Sequence, residues 1–479
     1  MHQLTVNGRP IEAADHEPLS DALRRAGIVV PLPCGGRGSC GKCRVTVNGK
    51  EELACQYRVT ADAAVTVPEK ETILSETGAA ETGEVSGRMA LALDLGTTTL
   101  ALALVSQEDG GIVRVVTDAN PQRAYGADVM SRIGHCRAHG PTGLQLAAVT
   151  AVNRLIRTLN APPAETMFVA GNTAMLHLFF GTDCSAMGAA PYTPAFLASQ
   201  TAPASLLGIT GVETVVSLPC AAAFVGADLT AGLRYVGLPP EGKYSLLIDL
   251  GTNAEVVLFS RAGALCTAAA AGPCFEGANI SCGMSATPGA IFAYAPGFVQ
   301  TVRGAPAKGV CGTGLVDIVA ALLADGTIDE TGYMECEEFE VVPGVTLTQS
   351  DIRQYQLAKS AVCAAVLTLL QKQNVPFEEI DKLYIAGGFA AKINVGSAVA
   401  TGLLPAELRA KCVAVGNSSL LGTAKFACDP TGLSGFVEKM QYVDLAADPA
   451  FSDLFIEKMT FEDQKPFSGE KTLDKTSTL

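Results

Sequence analysis

The chain is poor in charged residues and has no long apolar segment. Asp, Glu, Lys and Arg make up 17% of its 479 residues against 48% hydrophobic residues, which is typical of a globular protein rather than a disordered one. The longest apolar stretch, 93–105, is interrupted by Asp94, Gly96 and threonines, so no segment reaches membrane-spanning length. The net charge of -14, without a basic stripe, argues against nucleic acid as a partner.

Two common signatures are also missing. The N-terminal MHQLTVNGRP lacks the basic-then-apolar order of a signal peptide. A disulfide framework is not indicated either, because most of the 15 cysteines are scattered through apolar stretches, as buried free thiols would be. We therefore expect the protein to work in a reducing cytoplasm. The chain contains no GxxxxGKS or GxxxxGKT sequence, which excludes a P-loop as the nucleotide-binding motif.

What the chain does contain is a group of four cysteines near its start. Cys34, Cys40, Cys43 and Cys55 lie in CGGRGSCGKCRVTVNGKEELAC, with five residues in the first gap and two in the second. The plant-type 2Fe–2S pattern is C-x4-C-x2-C with a distant fourth cysteine, so one extra residue is the only departure. Zinc and two disulfides are the alternatives, but zinc sites usually have two CxxC halves. We predict that the four cysteines bind one 2Fe–2S cluster.

The composition divides the chain into segments. Short strands and turns predict a small α+β unit over 1–67. Residues 68–88 are rich in Glu, Gly, Ser and Thr, which predicts a flexible linker. A larger α/β unit is expected over 89–460, followed by a polar tail over 461–479.

Two segments of the larger unit repeat one another. Residues 89–105 and 244–259 each have an apolar strand, a DLGT turn and a second apolar strand. A third apolar strand, within 382–389, ends in AGGF. The repeat suggests two related lobes that face each other across a cleft, the first over about 89–240 and the second over about 241–420.

The DLGT turns are suited to bind phosphate. Their glycine permits close approach, and threonine hydroxyls can donate to phosphate oxygens. Asp94 and Asp249, at the strand ends, could hold the water shell of Mg²⁺, since that ion prefers a few carboxylates, waters and substrate phosphates.

Helices are predicted over 350–374, with Ser350 as N-cap, and over 418–427. His177 lies in an apolar helix and is interpreted as a satisfied core residue. Asp228, in another helix, is one candidate for a catalytic base.

The two DLGT hairpins and the AGGF strand end resemble the phosphate-1, phosphate-2 and adenosine motifs of the acetate and sugar kinase, Hsp70 and actin superfamily. Other stretches resemble one branch of it, the reductive activators of corrinoid-dependent methyltransferases, in which an iron–sulfur domain is fused to an ATPase domain. These stretches are NPQRAYGADVMSRI (120–133), GNTAMLHLFFG (171–181), GPCFEGANISCGM (272–284), GVCGTGLVDIVAALL (309–323) and GNSSLLGTA (416–424). The resemblance covers nearly all of 1–460. It departs where only a linker replaces a small extra domain of some members, and where Ala254 replaces an expected glycine.

The resemblance implies an α/β fold class, with an N-terminal β-grasp ferredoxin-like α+β domain and a two-lobed actin/Hsp70/sugar-kinase-like (ribonuclease H-like) ATPase domain. It implies ATP-dependent reduction of an inactive Co(II) corrinoid protein to Co(I), with one electron from the 2Fe–2S cluster. The implied cofactors are that cluster and ATP with Mg²⁺. The implied partners are a corrinoid protein of a methyltransferase system and an upstream low-potential electron donor.

The resemblance also assigns site residues by position. The first lobe would contact the phosphates through Asp94, Gly96, Thr97, Thr98 and Thr99. The second lobe would do so through Asp249, Gly251, Thr252 and Asn253, while Gly387, Gly388 and Phe389 would border the adenosine. Asn172 would place the γ-phosphate or the attacking water, with Gly312, Thr313 and Gly314 near the nucleotide.

Two assignments stay open. Ser281, in the loop 275–288, would be a transient ligand on the cobalt side, but the loop could equally cap its lobe. Glu255 is a second candidate base and is not ranked against Asp228.

Three other functions compete with this interpretation. The first is an activator of 2-hydroxyacyl-CoA dehydratases, which resembles a homodimer sharing one cluster through cysteines inside the ATPase domain. The complete set of four cysteines before the linker favours the corrinoid class instead. The second is a small-molecule kinase with a fused ferredoxin domain, and the third is an electron carrier whose ATPase lobe senses nucleotide.

Overall fold

The computed structural model describes residues 1–26, 28, 30, 36, 38, 43–67, 87–126, 128–251, 253–388, 390–432 and 435–461. Four predicted site residues lie outside the described residues: Cys34, Cys40, Thr252 and Phe389. The predicted linker, apart from residues 87–88, and the tail beyond residue 461 also lie outside them.

The described residues up to Thr66 form a five-stranded sheet with a helix packed on it. The elements are β1 His2–Val6, β2 Arg9–Ala13, α1 Leu19–Arg25, β3 Arg44–Val47, β4 Lys50–Leu53 and β5 Ala63–Thr66. Two Asn-Gly turns with positive φ at both residues, Asn7-Gly8 and Asn48-Gly49, close the hairpins, as type I′ turns do. The strand order β2-β1-β5-β3-β4 is that of a β-grasp sheet, which confirms the predicted ferredoxin-like fold.

A six-stranded sheet organises the first lobe. Its elements are β6 Met89–Leu95, β7 Thr99–Ser106, β8 Ile112–Ala119, α2 Val129–His139, α3 Thr142–Leu159, β9 Ala164–Gly171, α4 Thr173–Phe179, β10 Thr201–Pro203, α5 Ala204–Leu207, β11 Val212–Ser217 and α6 Ala227–Val236. The strand order is β10-β11-β9-β6-β7-β8, with β6, β9 and β11 parallel.

The rest of the described chain contains a second six-stranded sheet and two smaller sheets, one of three strands and one of two. The elements are β12 Tyr244–Leu250, β13 Ala254–Phe259, β14 Ala264–Ala269, β15 Ala290–Ala295, β16 Phe298–Thr301, β17 Gly309–Val310, α7 Gly312–Ala324, β18 Glu338–Val342, β19 Val345–Thr348, α8 Gln349–Gln373, β20 Ile380–Ala386, α9 Val395–Ala400, β21 Cys412–Gly416, α10 Ser418–Cys428, β22 Met440–Tyr442 and α11 Pro449–Glu457. The large sheet has the order β21-β20-β12-β13-β14-β22.

The two large sheets have the same topology. In each, an antiparallel meander of three strands is extended on its first strand by two parallel strands: β8-β7-β6-β9-β11 corresponds to β14-β13-β12-β20-β21. The repeated DLGT segments therefore occupy equivalent hairpins, β6–β7 and β12–β13. This arrangement confirms the predicted two-lobed ribonuclease H-like ATPase fold.

Helices α6 and α10 lie between the two sheets. Ala227 and Ala231 of α6 join the core of the first sheet, whereas Leu229 and Leu233 pack with residues of the second. The two helices cross very closely, because a Cβ at Gly422 of α10 would lie 1.7 Å from the carbonyl oxygen of Ala231. After residue 417 the chain thus returns to the first lobe before β22 and α11 join the second.

The predicted N-cap of the long helix α8 is wrong. Thr348, not Ser350, caps it: the Thr348 hydroxyl accepts from the backbone N–H of Asp351, and the Asp351 carboxylate accepts from the N–H of Thr348 at 2.8 Å. This reciprocal pair is a capping box and satisfies two donors that a cap at Ser350 would leave unpaired.

None of the helices in the described part of the chain is both long enough and apolar enough to cross a membrane.

Candidate functional site

The turn of the first hairpin, residues 96–98, is named phosphate loop 1. It can be built only with glycine at its start, because a Cβ at Gly96 would lie 2.5 Å from the carbonyl oxygen of Thr99. Asn120 fixes the backbone of the loop from behind. Its N–H donates to Thr98 O, and its side-chain amide donates to Gly96 O, both at 2.8 Å.

A buried arginine supports the same loop. Arg132 of α2 is fully buried, and its Nη2 donates to Thr97 O at 2.6 Å. Its other hydrogen-bond partners among the described residues are neutral: Gly126 O, the Gln122 side-chain oxygen and the Met175 sulfur. Burial lowers the pKa of Arg132 to about 9, which leaves the guanidinium charged at neutral pH. A positive charge with neutral acceptors therefore lies directly behind phosphate loop 1.

Asp94 ends β6 and is held by the start of α10. Asn417 Nδ2 and Ser419 Oγ each donate to one of its carboxylate oxygens at 2.8 Å. Burial raises the pKa of Asp94, and these two hydrogen bonds oppose the rise by stabilising the charged form. Asn417 is also the N-cap of α10, so the helix start and the carboxylate fix each other.

Three more carboxylates belong to the same cluster: Asp228 and Asp249 interact electrostatically with Asp94, and Glu255 interacts with Asp228 and Asp249. Asp249 ends β12, Glu255 is its directly paired neighbour on β13, and Asp228 lies in the first turn of α6. Burial, followed by repulsion from Asp228 and Asp94, raises the pKa of Asp249 to about 7. Burial also raises the pKa of Asp228 to about 7, although the N–H of Leu229 opposes the rise, and raises that of Glu255 well above its usual range. Four acids from both lobes are thus concentrated at one end of the cleft.

A hydrated divalent cation is one ligand that could neutralise this cluster. Within the described residues, no three His, Cys, Asp or Glu side chains converge closely enough to bind a metal ion directly. Carboxylates with raised pKa values are relieved when a nearby cation neutralises them. Mg²⁺ usually keeps several waters and binds through few carboxylates, so contact through water fits this cluster.

The third motif lies beside the second hairpin. Gly387 has φ +108, and a Cβ there would come within 2.3 Å of Leu250 O and 3.0 Å of Asp249 Oδ1. Glycine therefore lets β20 end directly against the carboxylate of Asp249. A Cβ at Gly388 would meet no other described part of the chain within 4 Å, so this face of the strand end is open. Gly251 and Asn253 lie in the turn of the second hairpin, where Gly251 N donates to Asn253 O at 2.9 Å.

Asn172 follows the C-terminal end of β9, next to phosphate loop 1. The parallel register pairs Leu95 with Gly171, which brings Asn172 to the same sheet edge. The Asn172 side chain accepts from Ala174 N at 3.1 Å as the N-cap of α4, which is a structural contact. His177, as expected, is buried and bonded, with Nδ1 2.8 Å from Thr173 O.

The 312–314 segment is used for packing. A Cβ at Gly312 or Gly314 would lie 2.2 Å from Phe275 O or Ile291 O, respectively, and the Thr313 hydroxyl donates to Phe292 O at 2.7 Å. Close packing therefore accounts for glycine at positions 312 and 314, and no contact with a nucleotide is needed to explain it.

Ser281 is an exposed residue of the loop 275–288 in the second lobe. Its backbone N–H donates to Asp351 Oδ1 at 2.8 Å, and its hydroxyl lies 3.2 Å from the same oxygen. The capping carboxylate of α8 therefore orients the Ser281 hydroxyl at the surface.

Two of the four cluster cysteines can be located. Cys43 precedes β3 and Cys55 follows β4; both are buried, and their sulfur atoms lie 3.3 Å apart. Gly36 and Gly38, on the cysteine loop, have φ near +80, and the Gln56 side chain donates to Gly36 O at 2.9 Å. Two converging buried thiols beside a loop that needs positive φ are compatible with an iron–sulfur cluster. The thiols of the described cysteines form no disulfide.

Several residues that shape the site were not assigned a role from the sequence. Asn417 and Ser419 lie in the GNSSLLGTA stretch, which supported the family resemblance but was given no functional role. Arg132 lies in the NPQRAYGADVMSRI stretch, and an arginine in an otherwise apolar helix face was the available signal.

Family models match three parts of the chain. A 2Fe–2S iron–sulfur cluster binding domain matches residues 4–60, the RACo middle region matches 89–240, and the C-terminal domain of RACo, the ASKHA domain, matches 243–470.

Two relatives of named activity align over most of the chain. The corrinoid activation enzyme RamQ of Eubacterium limosum is 26% identical over 95% of this chain and 98% of that protein. A Co(II) methylated amine-specific corrinoid protein reductase of Methanosarcina barkeri is 24% identical over 78% of this chain and 76% of its own.

A solved structure agrees with the whole architecture. The reductive activator for corrinoid,iron-sulfur protein superposes with a TM-score of 0.70 at 27% identity, and the match covers 96% of this chain and 98% of that one. With a cluster-binding domain, both RACo regions and this full-length structural match in one polypeptide, the chain belongs to the RACo family of reductive activators of corrinoid proteins.

Proposed function

We propose that this protein uses ATP to reduce the inactive Co(II) form of a corrinoid protein to Co(I), with one electron supplied through its N-terminal 2Fe–2S domain. The observation that carries the proposal is the fusion, in one chain, of the converging cysteines to a cleft with a DLGT hairpin from each lobe. Neither a kinase nor a ferredoxin alone needs both parts.

We assign the nucleotide contacts as follows. Phosphate loop 1 and Thr99 bind the phosphates from the first lobe; Gly251, Thr252 and Asn253 bind them from the second. Gly387, Gly388 and Phe389 border the adenosine. Asp94 and Asp249 hold the water shell of Mg²⁺, and Asn172, whose side chain caps α4, places the γ-phosphate or the attacking water.

The cluster, held by Cys34, Cys40, Cys43 and Cys55, would supply single electrons when bound. Plant-type clusters have potentials of roughly -400 mV. Each further 100 mV of driving force costs about 2.3 kcal/mol per electron. Nucleotide binding can cover that cost only by favouring one state of the corrinoid partner over another. Ser281, oriented by Asp351 at the surface, is our candidate for contact on the cobalt side.

The partner we propose is a corrinoid protein of a methyltransferase system, and a low-potential donor would reload the cluster. The described cysteines form no disulfide, which suits a reducing cytoplasm.

The test mixes anaerobically reconstituted protein with a Co(II) corrinoid protein, a low-potential reductant and MgATP, and follows the Co(I) absorbance. We expect Co(I) to form only with ATP, and ATP hydrolysis to rise only when the corrinoid protein is present. Equal reduction without nucleotide would contradict the proposal, and a phosphorylated small-molecule product would identify a kinase instead.

Variants separate the two halves of this activity. The double variant Cys43→Ser, Cys55→Ser should lose the cluster absorbance and Co(I) formation but bind ATP as the wild type does. The matched control is Cys336→Ser, because this cysteine is exposed in the second lobe. Loss of ATP binding in the double variant would mean that the cysteines support the fold rather than the electron path.

A further inference from the structure

A carboxylate from the second lobe contacts phosphate loop 1. Thr98 Oγ1 donates to Glu276 Oε1 at 3.4 Å, and this hydrogen bond crosses the cleft. Glu276 ends the short helical turn Pro273–Glu276 of the GPCFEGANISCGM stretch and is half-buried. A threonine hydroxyl of a phosphate-binding loop thus has an acidic side chain as its partner.

The same carboxylate lies close to two first-lobe arginines. Arg123, in the turn Pro121–Ala124 directly after Asn120, and Arg132, behind the loop, both interact electrostatically with Glu276. The Arg123 guanidinium is half-buried and, among the described residues, has no hydrogen-bond acceptor. Arg132 is held by Thr97 O, whereas Arg123 can still receive an anion.

We infer that Thr98 and Arg123 form the first-lobe binding site for the γ-phosphate of ATP, and that Glu276 occupies this site until the phosphate displaces it. The inference deepens the proposed function and rests on it. A terminal phosphate oxygen offers the same acceptor as a carboxylate with more negative charge, so it should compete well for a hydroxyl and a guanidinium. ADP has no γ-phosphate and should leave Glu276 in place.

Displacement of Glu276 can be transmitted to Ser281 through backbone contacts within the loop 275–288. Gly277 has φ +78, and a Cβ there would lie 2.4 Å from Met284 N; a Cβ at Gly283 would lie 2.2 Å from Gly277 O. The turn that carries Glu276 and the loop that carries Ser281 are therefore in direct backbone contact. Exchange of Glu276 for phosphate would move both. ATP and ADP would therefore act differently on the loop that carries Ser281, our candidate for contact with the corrinoid protein.

Binding of ADP and of a non-hydrolysable ATP analogue, AMP-PNP, to the full chain tests the site by calorimetry, both with Mg²⁺. Arg123→Gln should weaken AMP-PNP binding about tenfold or more and change ADP binding less than about threefold, because only the γ-phosphate loses a charged partner. Glu276→Gln should do the reverse and tighten AMP-PNP binding several-fold, since a competing charge is removed. Arg123→Lys should recover part of the lost affinity.

Arg137→Gln and Glu213→Gln are matched controls on exposed first-lobe positions and should bind both nucleotides as the wild type does. Equal losses for ADP and AMP-PNP in Arg123→Gln, or unchanged or weaker AMP-PNP binding in Glu276→Gln, would overturn the inference while leaving the proposed function intact. Failure of the wild type to bind AMP-PNP at all would overturn both.

Discussion

The two repeated hairpins share a fold but differ in what surrounds their carboxylates. Asp94 accepts from Asn417 and Ser419, each at 2.8 Å, whereas no donor among the described residues reaches the carboxylate of Asp249. The difference arises because α10 returns to the first sheet only. Asp94 is therefore fixed in orientation by its two donors, and we propose that Asp249 is the less constrained of the two carboxylates that hold the hydrated cation.

This contrast shows how a repeated hairpin can be placed in two different environments. Strand pairing is repeated because it depends on residues within each hairpin. The environment of each strand end depends on distant segments, which are not duplicated. Five predictions test whether the difference between the hairpins is real.

The largest effect is expected at Asp249. Asp249→Asn should lower ATP hydrolysis by on the order of 100-fold, because the amide cannot hold the hydrated cation with a full negative charge. Thermal stability should be kept or raised, since the variant removes an acid whose charged form is disfavoured by burial. Steady-state ATPase assays and thermal melts check this, with exposed Asp453→Asn as control. Unchanged hydrolysis would mean that Asp94 alone serves the cation.

The glycines of the two turns should respond differently to alanine. A Cβ at Gly96 would lie 2.5 Å from a backbone oxygen, but at Gly251 the nearest atom, Asn253 O, is 3.6 Å away. Gly96→Ala should therefore lower the free energy of unfolding by roughly 1–3 kcal/mol. Gly251→Ala should change it by less than about 0.5 kcal/mol. Urea unfolding measures both, and equal losses would refute the asymmetry.

The pH dependence should follow Asp249. Its pKa is raised from 3.8 to about 7, so the metal-free native state binds this proton more tightly than the unfolded chain does. The contribution of this group to the unfolding free energy consequently falls as the pH rises from about 4 to about 7 and is constant above that.

Cation binding should show the opposite trend. Because the proton must leave, affinity for Mg²⁺ should rise about tenfold from pH 6 to pH 8. Calorimetric titration with Mg²⁺ at several pH values measures it, and Asp249→Asn should remove most of the dependence. A flat profile in the wild type would indicate that the carboxylate is already charged.

The smallest effect is expected at the contact that fixes Asp94. Ser419→Ala removes one of the two hydrogen bonds to the Asp94 carboxylate. The loss in the free energy of unfolding should lie near the low end of about 1–3 kcal/mol, because Asn417 still donates to the same carboxylate. The pKa of Asp94 should rise further, seen as an ATPase profile shifted to higher pH. Ser205→Ala, on the exposed helix α5, is the control. Loss of stability without a pH shift would assign Ser419 to packing alone.

Much of the fold was predictable because its signals are local. The Asn-Gly turns, the paired apolar strands around each DLGT and the apolar strand before AGGF each specify their own geometry. Ala254, the expected departure from the family pattern, lies at the start of β13 and is fully buried in sheet pairing with Leu250, where no glycine is required. The N-cap of α8 was missed because Thr348 and Ser350 are both good caps, and only the reciprocal contact with Asp351 decides between them.

The sequence alone determined the small α+β unit, the two related lobes, the cysteine set and the pair of hairpins, since these depend on residue type, period and turn chemistry over short spans. The β-grasp and ribonuclease H-like folds were expected only from the resemblance to a known family. Only the tertiary structure decided that Asn417 and Ser419 hold Asp94, that Arg132 lies behind phosphate loop 1 and that Glu276 reaches Thr98 across the cleft. These contacts join residues 35 to more than 300 positions apart. Chain returns such as that of α10 set them, and no local pattern encodes where a distant segment comes back.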